Sequence, residues 1–118
     1  MDIPEAAATG RMQRVFRARC KLNEPGYISH ITQRAAGKEP LFIEKSDYMI
    51  MLALLKESSE KFNLRYYAMC LMPNHVHILM EPRQKNLYEA MQSIFSRYAA
   101  KFNNKYHRRG HLFGGPYR

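Results

Sequence analysis

Cysteine is scarce in this sequence. Cys20 and Cys70 are the whole complement, too few for a disulfide scaffold or a self-contained zinc site. Long apolar runs are missing too, and none approaches the roughly 18 residues that a membrane-crossing helix needs. Met1 to Gly10 is small and acidic, where a secretory leader would be basic and then apolar. No glycine-rich phosphate loop occurs, nor two histidines four apart on a helix with a glutamate, which excludes P-loop nucleotide chemistry and zincin-type proteolysis. What is present is ordinary in bulk. The chain has 118 residues, 46% hydrophobic and 25% charged, which fits one globular domain of two packed layers and excludes a disordered or fibrous chain. A soluble, cytoplasmic protein is expected, with residues 1–13 a flexible leader.

Acids are outnumbered. Nineteen Lys and Arg stand against ten Asp and Glu, a net charge of +9, and the isoelectric point lies near 9.8. That balance points to a polyanionic partner, nucleic acid first and an anionic membrane surface second. Arg11, Arg14, Arg17, Arg19 and Lys21 form one stretch without an acid, and Arg97, Lys101, Lys105, Arg108, Arg109 and Arg118 form another. The two stretches hold eleven of the nineteen cations, so the middle of the chain is nearly neutral. Such runs are often no more than solvated surface. Here Tyr98, Tyr106, His107 and His111 are interleaved with the second run, a mixture suited to phosphates and stacked bases. The candidate nucleic-acid contacts are Arg14, Arg17, Arg19, Arg97, Lys101, Lys105, Arg108 and Arg109.

The order of elements follows from patterning. Tyr27 to Gln33 alternates branched or aromatic residues with polar ones after Pro25-Gly26, which predicts a strand. Ser46-Asp47 is an N-cap signal ahead of Tyr48, Met51, Leu52, Leu55 and Phe62 at helical spacing, with Asn63 closing the helix. Leu64 to Met72 and His75 to Glu81 read as antiparallel strands joined by a Pro73-Asn74 turn. Asn86 starts a long helix with Leu87, Met91, Ile94, Phe95, Tyr98 and Phe102 on its apolar face, and Leu112-Phe113 opens one more strand. The fold class is therefore α+β: a ferredoxin-like, split β-α-β antiparallel sheet with helices on one face and the other face open.

His75-Val76-His77 is the sharpest passage. Strand alternation puts both imidazoles on one face and Val76, Ile78 and Met80 on the other. The apolar trio suits the helix-covered core, so the histidines stand on the open face, where two neutral imidazoles can share a divalent metal. A bare His-x-His is more often a pair of hydrogen-bonded surface residues. Other two-histidine chemistries fit worse. A histidine-triad hydrolase needs a third histidine where Leu79 stands. A two-histidine phosphoesterase needs two His-x-Thr/Ser motifs, and only His30-Ile31-Thr32 supplies one.

Cys70-Leu71-Met72-Pro73-Asn74-His75-Val76-His77-Ile78-Leu79 closely resembles the HUH signature (His, hydrophobic, His) of the single-tyrosine transposases, the insertion-sequence-200-like enzymes and the REP-associated tyrosine transposases. Tyr27 to Arg34, Leu41-Phe42 with Asp47-Tyr48, Tyr98 to Asn103 and Gly110 to Phe113 are similar to further segments of that family, so the resemblance spans residues 14–118. It implies that His75 and His77, with a third polar ligand, hold Mg²⁺ or Mn²⁺ against the scissile phosphate of single-stranded or hairpin DNA. A tyrosine hydroxyl then attacks to leave a 5′-phosphotyrosine link and a free 3′-OH, so that strand transfer runs without ATP. It also implies a DNA-binding protein of the bacterial or archaeal nucleoid, either monomer or homodimer, with no membrane role.

In the family, the nucleophilic tyrosine and third ligand lie on a helix beyond the segment matching Gly110–Arg118. The nucleophile is thus expected C-terminal to Arg118, with Tyr117 matching an aromatic residue ahead of that helix. Residues 14–118 are then the HUH domain without its catalytic-tyrosine helix, able to bind metal and DNA. The alternative is a catalytically inactive nucleic-acid-binding module that stacks bases on Tyr66 or Tyr67, which alternation places on opposite faces.

Overall fold

The computed structural model describes residues 25–117. The leader expected over residues 1–13, and Arg14, Arg17 and Arg19, lie outside the described residues. Five elements follow in the order β1 (Ser29–Arg34), α1 (Lys45–Lys61), β2 (Leu64–Met72), β3 (His75–Pro82) and α2 (Leu87–Lys105). The strands form one antiparallel sheet in the order β1-β3-β2. β3 runs against both neighbours, so β1 and β2 are parallel across it. The architecture is α+β and is compatible with a split β-α-β unit.

Among the described residues, one face of the sheet is covered by helices and the other is uncovered. Val76, Ile78 and Met80 of β3 are fully buried in a core with Met51, Leu54 and Leu55 of α1 and Ala90, Met91, Ile94, Phe95, Tyr98 and Phe102 of α2. Leu41 joins this core, and its carbonyl accepts the hydrogen bond of the buried Tyr98 hydroxyl. On β2, Tyr66 pairs with Met80, and Ala68 pairs with Leu79. Tyr67 is therefore an extra residue in a bulge, which turns both it and Ala68 to the uncovered side. Tyr66 packs against the core, whereas Tyr67 is 45% exposed.

Four sequence expectations shift. Helix α1 begins one residue before Ser46, with Glu44 as its N-cap, because Asp47 reaches back as the acceptor. Its Oδ2 takes the backbone N–H groups of Ile43 and Glu44, both at 2.9 Å. Asn86 does occupy the N-cap of α2, yet its side chain donates to the Phe62 carbonyl at 2.9 Å instead of capping. Leu52, at helical spacing on the expected apolar face of α1, is exposed where Leu54 is buried. The strand expected at Leu112-Phe113 is reduced, among the described residues, to one bridge between Ala35 and Phe113. It ends there because Gly114, Gly115 and Pro116 follow: Gly115 has φ +150, and Pro116 has no N–H for a ladder.

Asp47 also joins the two helices. It is 1% exposed, and its carboxylate accepts from Lys105 Nζ at 2.7 Å and from Tyr106 Oη at 2.6 Å. Burial alone would raise its pKa. The Lys105 ammonium, the Tyr106 hydroxyl and the two backbone amides outweigh that effect and hold it at about 2. The start of α1 and the end of α2 are thus tied at one buried charge.

Candidate metal and nucleic-acid site

The Pro73-Asn74 turn is anchored by two backbone hydrogen bonds, Leu41 N–H to the Pro73 carbonyl at 2.7 Å and Ala35 N–H to the Asn74 carbonyl at 3.0 Å. β3 leaves this anchored turn with its apolar residues facing the core, so His75 and His77 project from the opposite, uncovered face and are both half-buried. The register sets their surroundings. His77 lies between Thr32 of β1 and Cys70 of β2, and His75 lies between Arg34 and Met72.

The two rings meet edge to face with centroids 4.8 Å apart. His30 stacks on His77 at 5.1 Å with an interplanar angle of 18°. His77 Nδ1 is 3.0 Å from His30 Nε2 and 3.4 Å from Thr32 Oγ1. His75 Nδ1 is 2.7 Å from Asn74 Oδ1. Neither His75 Nε2 nor His77 Nε2 makes a hydrogen bond among the described residues. Burial first, then the neighbouring charges of His30, His75 and Arg34, lower the His77 pKa, which favours the neutral ring that a metal requires.

These donors fit part of a metal centre. Two imidazole nitrogens on one face, each with its other nitrogen engaged, match the usual arrangement of ligating histidines. Among the described residues, no three His, Cys, Asp or Glu side chains are grouped to hold a metal ion. His75 and His77 could therefore supply two ligands of such a centre.

The family model described as "Transposase IS200 like" matches residues 25–118, most of the chain. The chain belongs to the IS200-like transposase family. Membership makes it a transposase in general terms and implies DNA as its partner. Among curated proteins, none matches the chain. No helix among the described residues is long and apolar enough to cross a membrane.

In this transposase, Arg97, Lys101, Lys105, Arg108 and Arg109 of the second basic run make no contact with the histidines among the described residues, and Arg118 lies outside the described residues. The five belong to α2 and the segment after it. Arg97 forms a two-pronged pair with Glu57 at 3.1 and 3.2 Å. Lys105 serves Asp47 and also lies 3.0 Å from Glu44. Arg108 donates to Asn103 Oδ1 at 2.7 Å and lies 3.5 Å from Glu39. Lys101 and Arg109 are exposed. Around the end of α2, Asn103, Asn104, His107, Arg108 and Arg109 line a basic hollow of about 480 Å³.

Among the described residues, the cation next to the histidines on their face is Arg34, exposed and paired in register with His75, while Arg65 lies further along the same face opposite Glu81. Sequence reasoning did not assign it, nor His30 and Thr32, to this site. The signal was partly there, since alternation along β1 puts residues 30, 32 and 34 on one face. Only the pairing register brings them to His75 and His77.

The tyrosines are placed away from the pair. Tyr98 is buried and bonded to Leu41, Tyr106 is bonded to Asp47, and Tyr117 is 6% exposed. Tyr67 donates to Glu81 Oε1 at 2.6 Å. None of the tyrosines among the described residues makes a hydrogen bond or ring contact with His75 or His77.

Proposed function

We propose that this chain is the metal- and DNA-handling domain of a single-strand DNA transposase, a ferredoxin-like HUH domain of the REP-associated or a related type. His75 and His77 are its protein ligands for Mg²⁺ or Mn²⁺. The observation that carries this reading is the pair of Nε2 atoms without a hydrogen-bond partner among the described residues, on one face of the sheet, in a chain of this family. When bound there, the ion would offset charge on the scissile phosphate. Mn²⁺ is the better match to two imidazoles, since Mg²⁺ prefers oxygen donors.

The chain's own residues divide the remaining work. Arg34, beside His75, is placed for a phosphate oxygen next to the scissile one. Tyr67 offers a ring for an unpaired base further along the same face. Arg97, Lys101, Lys105, Arg108 and Arg109, with Arg14, Arg17 and Arg19, supply basic surface for the backbone of a DNA hairpin. A tyrosine C-terminal to Arg118 would attack phosphorus through its hydroxyl oxygen. The bond from phosphorus to the 3′-oxygen breaks, that oxygen takes up a proton through water in place of the one the tyrosine gives up and leaves as a 3′-OH, and the 5′-phosphate stays on the tyrosine. A homodimer is compatible with this chemistry.

One observation favours the alternative, a nucleic-acid-binding module without cleavage: no tyrosine among the described residues contacts the histidine pair. The test uses the full-length gene product with 5′-labelled and 3′-labelled hairpin DNA and Mn²⁺, analysed on denaturing gels. The expected result is a covalent protein–DNA adduct carrying the 3′-labelled fragment, lost in His75→Ala while hairpin binding persists. Hairpin binding with no adduct at any metal concentration would favour the binding module.

A further inference from the structure

The half-site rests on more than its two ligands. A neutral imidazole carries one proton, and whichever nitrogen holds it cannot bind a metal. For His77 the choice is set by β1. Thr32 is directly opposite His77, and His30 is one pair away on the same face, the diagonal position from which a long side chain reaches across the ladder. His30 Nε2 lies 3.0 Å and Thr32 Oγ1 3.4 Å from His77 Nδ1. His30 also stacks almost parallel on the ring at 5.1 Å, which restricts its rotation. Only one proton fits between the two facing nitrogens. On His77 Nδ1 it has two acceptors within reach. On His77 Nε2 it would have none among the described residues.

We propose that His30, supported by Thr32, is the positioning residue of the metal site. It accepts the Nδ1 proton of His77 and so presents the Nε2 lone pair to the metal. Asn74 performs the same task for His75 by accepting its Nδ1 proton at 2.7 Å. The two paired strands thus each contribute a part: β3 carries the ligands, and β1 supplies the group that sets the state of the more enclosed one. This rests on the reading of His75 and His77 as ligands, and the test separates the two.

The first readout needs no metal. Long-range ¹H–¹⁵N spectra of the neutral-pH protein, with His77 assigned, report which ring nitrogen carries the proton. The expected result is Nδ1–H in wild type, a shift toward Nε2–H in His30→Ala, and a return to Nδ1–H in His30→Gln, whose amide oxygen can accept the same proton. The second readout is Mn²⁺ affinity by electron paramagnetic resonance. It should weaken about 10-fold or more in His30→Ala, the usual range for outer-shell partners, and recover in His30→Gln. Wild-type protein with its proton on Nε2, or a tautomer unmoved by His30→Ala, overturns the proposal. So does hyperfine coupling from three imidazoles that drops to two in His30→Ala, since His30 would then be a ligand. If wild type binds no Mn²⁺ yet His30 governs the tautomer, the metal reading fails and the positioning role stands.

Discussion

Alanine at both His75 and His77 is expected to weaken Mn²⁺ binding more than about 100-fold, beyond the range reached by changing outer-shell partners alone. The fold should survive. Both side chains project from the uncovered face, while the core below them is held by Val76, Ile78 and Met80. Stability should change by less than about 1 kcal/mol, as for most replacements outside a core. Titration calorimetry and thermal melts on the same samples check the two halves together. Unchanged Mn²⁺ affinity in the double variant would remove the metal role. Loss of binding accompanied by unfolding would show the histidines to be structural.

Asp47→Ala should have the largest effect on stability. The carboxylate closes the start of α1 through two backbone amides and holds Lys105 and Tyr106 of the other helix end. Removing it leaves the Tyr106 hydroxyl without its acceptor, leaves Lys105 to Glu44 and Ser46, and uncaps α1, a loss on the order of 3 kcal/mol for a missing cap and lost hydrogen bonds to a charged group. In a domain of this size that corresponds to a fall in melting temperature of roughly 15 °C. Asp47→Asn keeps an acceptor oxygen and should lose less.

The pH dependence has a definite sign. The folded pKa of about 2 lies below the ordinary 3.8, so the carboxylate stabilises the fold fully above pH 3.8. That contribution disappears as pH falls through about 2. Chemical denaturation at pH 6, 4 and 2.5 should show wild type converging on Asp47→Ala at the acid end. A constant gap between them would contradict the assignment.

Much of the site was legible because strand alternation is a strict period of two. His75 and His77 had to share a face opposite Val76, Ile78 and Met80, and Pro73-Asn74 had to start that strand. Legibility ended wherever the deciding contact crosses the chain. Arg97 meets Glu57 from 40 residues away, and Lys105 meets Asp47 from 58 away. A basic run in the sequence therefore did not disclose that part of its charge is used inside the fold. Leu52 stood at helical spacing with Met51 and Leu55, yet it is exposed and Leu54 is buried instead. His30-Ile31-Thr32 stood out as a motif, but its role depends on the register that sets Thr32 opposite His77. The last strand failed through local chemistry, since glycine and proline follow Phe113 directly.

The most direct measurement is a Mn²⁺ titration of ¹⁵N-labelled protein, because the ion broadens signals according to their distance from it. Broadening should begin at His75 and His77 and spread to Thr32, Arg34 and Cys70 on the same face, sparing α1 and α2. Broadening centred on the helix acids around Glu57, or none at millimolar Mn²⁺, would contradict a metal site on the open face of the sheet.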